Sequence, residues 1–363
     1  AGADAACFPR PPDIDLPLVV SLSSGTTGRP KGPLLTHQNF LHRFLIYYIS
    51  LTFNEHDRFA CASPLYFSGS RGFSMCVLYA GGTLVLLAPP VPPEQLIDEL
   101  NAYRCTSAFI VPTIIRRLLA AHSGDGYCLP GLRLLVSTGA ALFPEDREAA
   151  LNRVTPNLIN FYGSAEGGGV SVLTPAHPQH KAASAGAIVF GTELRIVDEN
   201  FADVPPGTIG RVCYRSGATA AEFYNDPEAT ANAFRDGWYL PGDLGYVDAD
   251  GFLFITGREK DMIIRGGVNI YPSEIEAVLR AHSDVAEAAV IGVESVEFGE
   301  EVVAYVTGRT AEIDIEALRR HCAEELARYK VPRIIRVLPE MPRTSVGKID
   351  KQRLRSLPSG DPQ

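Results

Sequence analysis

Short apolar runs alternate with amphipathic segments through the first half of the chain. The run LPLVVSL, from Leu16 to Leu22, is rich in Val and Leu and is typical of a buried strand. Thr36 stands where it can cap a helix over roughly His37 to Tyr48. The run TLVLLA is then followed by three pairs of a helical pattern and a strand pattern: EQLIDELNAY with SAFIVP, TIIRRLLAAH with LRLLVSTG, and PEDREAALNRV with NLINFYG. Strands that alternate with helices predict a parallel α/β sheet.

Three loops rich in small residues follow strands of this predicted sheet. They read SSGTTG, STGAAL and FYGSAEGGG. In parallel α/β sheets, ligands bind where the carboxyl ends of strands meet helix amino ends. We therefore expect these loops to share one ligand-binding edge.

From about Ser184 the pattern changes to short strands separated by Gly, Pro and Asp. The pair Asp250-Gly251 is a strong hairpin signal. This pattern predicts a small β-rich, barrel-like subdomain over about 184–257, within a large N-terminal domain of residues 1–257.

A second domain is predicted over residues 258–363. The segment PSEIEAVLRAH places Ile275, Val278 and Leu279 on one helix face. Strand patterns AEAAVIGV and EEVVAYVTG follow, and an apolar stripe predicts a helix from Asp314 to Tyr329. We expect a compact α+β unit of about a hundred residues.

Composition narrows the class of protein. The chain has 363 residues, of which 46% are hydrophobic and 21% charged, as in ordinary globular proteins. A net charge of −9 argues against a nucleic-acid surface. The most apolar stretch, from Phe73, is broken by Gly81-Gly82 and ends in prolines, so it predicts no membrane span. Seven cysteines without any C-x-x-C, and an opening segment without a signal-peptide pattern, predict reduced thiols and a soluble cytoplasmic protein.

The segment SSGTTGRPKG, residues 23–32, allows two interpretations on its own. A loop of Gly, Ser and Thr is most often a surface turn. It can also hold phosphate, because glycine lets backbone N–H groups approach an anion and Lys31 adds a charge. The spacing is not that of a Walker A loop. A G-x-S-x-G motif and a G-x-G-x-x-G after a strand are both lacking, so neither a serine hydrolase nor a dehydrogenase is supported.

Four segments in a fixed order carry a family resemblance. They are SSGTTGRPKG (23–32), FYGSAEG (161–167), YLPGDLGYVDADGFLFITGREKDMIIRGGVNIYPSEIE (239–276) and PRTSVGKIDKQRLR (342–355). Together they resemble the adenylate-forming superfamily of acyl- and aryl-CoA synthetases, peptide-synthetase adenylation domains and luciferases. The resemblance implies a large N-terminal domain and a small mobile C-terminal domain. It also implies an ATP-dependent acid–CoA ligase that uses Mg²⁺ and takes CoA as its second substrate.

The resemblance also implies roles for individual residues. Glu166 and Thr26 match the Mg²⁺ site, Lys348 matches the lysine of the adenylation step, and Lys260 matches the hinge. Gly266 and Gly267 would leave room for the thiol of CoA. The residues that match the ATP and AMP site are Ser23, Ser24, Gly25, Thr26, Thr27, Gly28, Lys31, Gly139, Ala140, Ala141, Asn160, Phe161, Tyr162, Gly163, Asp243 and Arg258.

The pocket for the acid is predicted to include Tyr66, Phe67 and Val170. Apolar walls, with Arg71 the one candidate for a buried cation, favour a fatty or aryl acid over a dicarboxylate or an amino acid. The chain departs from the family pattern at Ala165, which replaces a hydroxyl residue, at Phe67, which replaces a histidine, and at Pro241, which replaces a threonine. None of these departures removes a charged group, so we expect activity.

The start of the chain leaves alternatives open. Only 22 residues precede Ser23, where family members usually carry a substantial α/β segment. The chain is therefore either naturally short or lacks its N-terminal part, and a homodimer is one way to cover the flank. The acceptor is CoA or, as the alternative, the thiol of a carrier protein. A further alternative, from a different class of function, is that the chain is a non-catalytic nucleotide-binding module or one part of a split enzyme.

Overall fold

The computed structural model of the chain describes residues 13–22, 32–88, 91–309, 313–344 and 348–357. Its helices are α1 (His37–Leu51), α2 (Ser68–Tyr79), α3 (Pro93–Ala102), α4 (Pro112–Ala121), α5 (Pro144–Arg153), α6 (Pro227–Ala233), α7 (Pro272–Ala281), α8 (Ile315–Glu325) and α9 (Lys351–Arg355). Short 3₁₀ turns span Gln179–Lys181, Glu259–Asp261 and Arg328–Lys330.

The strands are named in the same way, in chain order. They are β1 (Pro17–Val20), β2 (Leu34–Thr36), β3 (Arg58–Cys61), β4 (Thr83–Leu86), β5 (Ser107–Phe109), β6 (Leu134–Ser137), β7 (Leu158–Ser164), β8 (Gly168–Leu173), β9 (Gly186–Ile188), β10 (Thr192–Val197), β11 (Gly210–Ser216), β12 (Phe234–Arg235), β13 (Trp238–Tyr239), β14 (Asp243–Val247), β15 (Phe252–Arg258), β16 (Ile263–Arg265), β17 (Val268–Ile270), β18 (Val285–Ser295), β19 (Gly299–Gly308) and β20 (Ile334–Val337).

The chain divides into two compact units. The large unit comprises residues 1–241 and 246–254, and the small unit comprises residues 242–245 and 255–363. The mixed α/β class, with a large N-terminal and a smaller C-terminal part, is as predicted from the sequence.

The large unit is built on a parallel sheet with helices on both faces. Strands β4, β3, β5, β6 and β7 lie side by side in that order, each parallel to its neighbour. Side chains along these strands point alternately to two separate cores. Phe59 and Phe109 enter the core with α1 and α2, whereas Ala60 and Ala108 enter the core with α3, α4 and α5. The predicted α/β layers are confirmed.

The β-rich segment extends this same sheet. Strand β8 pairs antiparallel with β7, and β9, β15, β14, β11, β13 and β12 continue the hydrogen-bonded order. Lys181 is 7% exposed, and its ammonium lies 2.6 Å from Asp248 and 2.5 Å from Asp250 at the predicted hairpin turn. Buried charge is stable in a protein only when it is paired, and here one lysine is held by two acids.

Of the first two predicted elements, the helix cap is confirmed and the burial of the strand is not. Thr36 caps α1 as predicted and forms a reciprocal capping box with Asn39. Strand β1 forms, but the prediction that it is buried is wrong. It pairs only with β2 in a two-stranded sheet of the described chain, so Leu18 remains 38% exposed and Leu22, just after it, 67% exposed.

The small unit is an α+β layer structure, as predicted. Its sheet has the order β17-β16-β19-β18, and β20 runs parallel to β19. Helices α7 and α8 cover one face through Ile275, Leu279 and Leu318, and α9 covers the other through Leu354. The predicted helix from Asp314 to Tyr329 is too long. The backbone becomes extended at Leu326, where that side chain packs into the core.

None of the helices in the described part of the chain is long and apolar enough to cross a membrane.

Candidate active site

The carboxyl edge of the parallel sheet collects several of the predicted site residues. Tyr66 and Phe67 follow β3, Gly139 to Ala141 follow β6, and Tyr162 and Glu166 lie at the end of β7. These strands are close neighbours in the sheet, so their carboxyl ends share one edge. A Cβ added at Gly139, where φ is +92°, would lie 3.9 Å from Val111 at the end of the loop after β5. The three segments therefore lie at the same edge of the sheet in the large unit.

The loop that carries Glu166 is a tight hairpin turn between β7 and β8. Ser164 pairs with Gly168 across the turn, and the Ser164 hydroxyl accepts hydrogen bonds from the Gly167 N–H at 2.8 Å and the Tyr214 hydroxyl at 3.0 Å. A Cβ at Gly167 would lie 2.1 Å from the Tyr214 ring, so only glycine fits there. Glu166 is half-buried, and its carbonyl accepts from the Ala220 N–H at 2.8 Å. The backbone around this acid is held from several sides.

Arg43 of α1 supports the same loop from behind. It is only 4% exposed, and its guanidinium donates to the carbonyls of Ala165 at 2.9 Å, Glu166 at 3.2 Å and Ala218 at 3.0 and 3.1 Å. Burial lowers the pKa of Arg43 from its ordinary value, and the neighbouring Glu166 opposes that shift. A buried arginine bound to several carbonyls fixes the positions of those carbonyls.

The sequence analysis did not single out Arg43 as a support of the Glu166 loop, although a signal was present. On a helix that begins after Thr36, position 43 falls on the same face as Phe40, Phe44 and Tyr47, all of them buried. A charged residue on a buried apolar face needs a partner. Which partner it finds depends on residues more than 120 positions away in the chain.

Two residues predicted to contact ligand have buried side chains. Phe161 is 4% exposed and packs edge-on against the rings of Tyr47 and Phe73, so only its backbone can face the common edge. Val170 of β8 is fully buried. Asn160 and Tyr162 on β7 are half-buried. The side chains of β7 thus alternate between the core and the strand's other face.

The predicted acid pocket begins with two aromatic rings. Tyr66 is 69% exposed, and its ring centroid lies 4.5 Å from that of Phe67, which precedes α2. Arg71, one turn into α2, donates to the Ser21 hydroxyl at 2.7 Å and to the Tyr66 carbonyl at 3.5 Å. Partial burial lowers the pKa of Arg71, and its Nε has no hydrogen-bond partner among the described residues. A guanidinium therefore stands beside the aromatic pair.

The small unit brings together two of the residues predicted to bind nucleotide. Asp243 begins β14, Arg258 ends β15, and the Arg258 Nε lies 3.0 Å from the Asp243 carboxylate. Asp243 is 6% exposed, whereas the Arg258 side chain is half-exposed. Lys260 follows in the 3₁₀ turn. Partial burial lowers the pKa of Lys260, helped by Arg258 and Arg355 and opposed by Asp261.

Lys348 and the glycine pair are exposed residues of the small unit. The Lys348 carbonyl accepts from the Thr344 N–H at 2.8 Å, and the Thr344 hydroxyl accepts from the Lys348 N–H at 3.3 Å. Gly266 and Gly267 form the two-residue turn between β16 and β17, with φ values of +57° and +80°. The predicted phosphate-loop residues lie outside the described residues: Ser23, Ser24, Gly25, Thr26, Thr27, Gly28 and Lys31.

A magnesium ion can be tested against the donors present. The described residues hold no group of three or more His, Cys, Asp or Glu side chains that could cage a metal. Mg²⁺ usually binds through one or two carboxylates together with substrate phosphates. A single half-buried acid, Glu166, on a braced loop fits that mode.

Comparison with known proteins matches both units. Residues 3–224 match the family model of AMP-binding enzymes, and residues 274–348 match that of the AMP-binding enzyme C-terminal domain. The chain belongs to the AMP-binding enzyme family. The adenylate-forming type predicted from the four motifs is thereby confirmed.

Relatives of this AMP-binding enzyme include CoA ligases. The indoleacetate–CoA ligase of Aromatoleum aromaticum is 35% identical over 356 residues, which cover 96% of this chain and 69% of the relative. The sulfoacetate–CoA ligase of Cupriavidus necator is 36% identical over 354 residues, covering 97% of this chain and 69% of the relative. Acid–CoA ligation through an acyl-AMP, the predicted activity, is confirmed at the level of enzyme type.

A solved structure agrees with this family. The o-succinylbenzoate CoA synthetase of Bacillus subtilis, in complex with ATP and a magnesium ion, matches with a TM-score of 0.84 at 29% identity. The match covers 95% of this chain and 71% of that one. It supports ATP as the nucleotide of this AMP-binding enzyme.

Proposed function

We propose that this enzyme activates an apolar fatty or aryl carboxylic acid with ATP and transfers the acyl group to the thiol of CoA. The observation that carries the proposal is the shared sheet edge, where the Tyr66–Phe67 aromatic pair and the Glu166 loop follow strands β3 and β7. Two aromatic rings at this edge favour an apolar acid. The indoleacetate–CoA ligase relative has an aromatic acid in its name, which agrees with this class.

The first half-reaction joins two anions. A carboxylate oxygen attacks the α-phosphorus of ATP, the bond to the β-phosphate oxygen breaks, and pyrophosphate leaves with its electron pair. In this proposal Glu166 holds Mg²⁺, which would neutralise phosphate charge when bound. Lys348 stabilises the charge that develops between carboxylate and phosphate. Tyr162 and Gly139 to Ala141 hold adenine, and Asp243 with Arg258 holds the ribose.

The second half-reaction uses the acyl-AMP. The thiol sulfur of CoA attacks the acyl carbon, the bond from that carbon to the AMP oxygen breaks, and AMP leaves with the electron pair while the thiol proton passes to solvent. We propose that the small unit turns about Lys260 between the two steps, so that the Gly266–Gly267 turn replaces Lys348 beside the reacting carbon.

Arg71 favours a second candidate class of substrate. A half-buried guanidinium beside Tyr66 could pair with a second acidic group on the substrate. The sulfoacetate–CoA ligase relative has such a doubly acidic compound in its name. On this alternative, Arg71→Met would lower kcat/KM for small dianionic acids and leave that for monocarboxylic acids unchanged.

The acceptor and the assembly are also part of the proposal. CoA is favoured over a carrier-protein thiol because the relatives named above are CoA ligases. A homodimer is supported by exposed apolar side chains such as Leu16 and Leu22, which flank β1, and Leu41 and Leu45 on α1. The raised pKa values that burial gives the thiols of Cys76, Cys213 and Cys322 agree with unreactive, reduced cysteines in the cytoplasm.

Pyrophosphate exchange over a panel of acids tests the proposal. The panel should hold octanoate, benzoate, indoleacetate, sulfoacetate and succinate, each with and without CoA. We expect exchange with at least one apolar acid and thioester formation when CoA is added. Exchange only with sulfoacetate or succinate would favour the Arg71 alternative. No exchange with any acid would leave the non-catalytic module or split enzyme as the better reading.

A further inference from the structure

The glycine turn of the small unit sits on a hairpin with little support of its own. Strands β16 and β17 have three residues each and pair through Ile263–Ile270, Ile264–Asn269 and Arg265–Val268. Strand β17 is the terminal strand of the described sheet. Ile264 and Val268 are 49% and 43% exposed. A two-stranded hairpin this short and this exposed is marginal without further contacts.

The hairpin is held against β19 by a buried ion pair. The Arg265 guanidinium donates to the two Glu301 carboxylate oxygens at 2.7 and 3.1 Å. The Glu301 side chain is 6% exposed, and it also accepts from the Val302 N–H at 2.9 Å. Arg333 lies 3.8 Å from the same carboxylate. A bidentate arginine–carboxylate pair fixes orientation as well as distance.

The residues just before Glu301 add three more contacts. The Arg265 guanidinium lies over the Phe298 ring, 4.1 Å from its centroid. The Phe298 carbonyl accepts from the Gly266 N–H at 2.8 Å, and the Glu300 carboxylate accepts from the Ile264 N–H at 2.6 Å. Segment 298–301 therefore grips the hairpin at three successive residues, 264 to 266. We call Arg265, Phe298, Glu300 and Glu301 the hairpin latch.

The sheet leaves space for this arrangement. A Cβ at Gly292 of β18 would lie 2.7 Å from a Glu300 carboxylate oxygen, so a larger residue would push that acid away from Ile264. By contrast, nothing in the described chain lies within 4 Å of a Cβ at Gly267. The latch thus holds one side of the turn while the other side stays open.

We propose that the hairpin latch positions the Gly266–Gly267 turn for the attack of the thiol on acyl-AMP. Arg265 and Glu301 are positioning residues that act through the turn. The inference rests on the proposed role of that turn in the second half-reaction. No latch residue has a proposed role in the first half-reaction, so loss of the latch should leave the chemistry of that step intact.

The test compares the two half-reactions in latch variants of the full chain. Glu301→Gln keeps the shape of the side chain but removes its charge, and Arg265→Met removes the donor. Pyrophosphate exchange reports the first half-reaction. Thioester formation from synthetic octanoyl-AMP and indoleacetyl-AMP with CoA reports the second. We expect the second to fall about tenfold in both variants, with the first changed less than twofold, and Arg265→Lys to recover part of the loss.

A matched control separates the latch from ordinary loss of an ion pair. Lys330→Gln breaks a pair of equal length, 2.7 Å to Glu274, elsewhere in the small unit. It should leave both half-reactions unchanged.

Hydrogen exchange gives a readout that does not depend on activity. The amides of Ile264 and Gly266 should exchange at least tenfold faster in Glu301→Gln than in the unaltered chain, because their acceptors are then less firmly held. Equal hydrogen-exchange rates at these two amides in both proteins would overturn the proposed role of the latch. Equal slowing of both half-reactions would also overturn it. An unaltered chain that catalyses pyrophosphate exchange but forms no thioester from either acyl-AMP would instead contradict the proposed acid class. The amide hydrogen-exchange rates would still test the latch in that case.

Discussion

The Glu166 loop and the Gly266–Gly267 hairpin are both turns between paired strands, yet they are built in opposite ways. The first is packed from behind by Arg43 and Tyr214, which are 4% and 0% exposed. The second projects from the terminal strand of its sheet and is gripped on one side only. Most neighbours of the first turn are buried and distant in sequence. The anchors of the second come from one short segment, residues 298–301, at the start of β19.

This difference fits the two steps that the turns are proposed to serve. Bringing a carboxylate to a phosphate requires fixed groups at fixed distances, because reorganisation would raise the barrier. Admitting a long flexible thiol requires open space beside a turn whose position is still defined. The buried loop suits the first demand, and the latched hairpin suits the second. Substitutions that affect one turn and leave the other unchanged test whether the two turns serve different steps.

The largest effect is expected from Lys348→Ala. Removing one positioned charge should reduce pyrophosphate exchange by about 10²–10³-fold. Thioester formation from supplied octanoyl-AMP or indoleacetyl-AMP should stay within about threefold, because this lysine is proposed to act only before the acyl-AMP forms. If pyrophosphate exchange and thioester formation fall by the same factor, one fixed arrangement serves both steps. The proposed division of roles between the two turns would then be wrong.

Arg43→Met should destabilise the large unit strongly. It leaves the carbonyls of Ala165 and Ala218 without a charged donor, which should lower the free energy of unfolding by about 2–4 kcal/mol. The fluorescence of Trp238, the single tryptophan of the chain, can follow urea unfolding of this unit. Pyrophosphate exchange should fall as well, even in the folded fraction.

Arg58→Met is the matched control for Arg43. Arg58 also donates to a carbonyl, that of Tyr103 at 2.9 Å, but at an exposed position. Its loss should change the free energy of unfolding by less than about 1 kcal/mol. Comparable losses at Arg43 and Arg58 would mean that burial behind the Glu166 loop adds nothing.

Glycine substitutions probe the two turns directly. A methyl group at Gly167 would meet the Tyr214 ring at 2.1 Å, so Gly167→Ala must shift the loop and should slow pyrophosphate exchange about tenfold. Gly267→Ala meets nothing within 4 Å and only strains a φ of +80°, at a cost of about 1 kcal/mol. Its effect on thioester formation should stay below about threefold.

Gly207 provides a control with the same backbone strain. It has the same φ of +80° and the same open surroundings, but lies in a turn of the large unit. Gly207→Ala should match Gly267→Ala in stability and leave both half-reactions unchanged. If Gly207→Ala also slows thioester formation, the effect at Gly267 comes from strain alone.

Local elements of the fold could be read from the sequence because their causes are local. The capping box of Thr36 and Asn39 sets the start of α1, and the Asp250-Gly251 pair sets a hairpin. The exposure of β1 could not be read, since it depends on which strand pairs with it. The end of α8 was also missed, because Leu326 leaves the helix to reach a core formed by distant residues.

The candidate site shows the same division. Motifs predicted Glu166, Asp243 and Lys348 as site residues, and these stay predictions, whereas the alternation of strands and helices predicted the carboxyl edge that the sheet shows. Arg43 and Glu301, which support the two turns, lie outside the four motif segments. Arg43 and Glu301 act through contacts 122 and 36 positions away in the chain, which only the fold brings together.

The smallest expected effect concerns the response of the latch to pH. Burial alone would raise the pKa of Glu301, but hydrogen bonds from Arg265 and the Val302 N–H outweigh it and hold the pKa below its ordinary value of 4.5. A carboxyl with a depressed pKa in the folded state stabilises that state above the unfolded value, and the benefit is lost as pH falls through the folded value. The stability advantage of the unaltered chain over Glu301→Gln should therefore be constant from pH 7 to about 5 and shrink below about 4.5. Urea unfolding followed by circular dichroism at several pH values measures this difference. Glu316→Gln, at an exposed ion pair on α8, is the control and should show no such acid-dependent loss. An advantage for Glu301 that persists unchanged to pH 3 would mean that shape, and not charge, holds the hairpin.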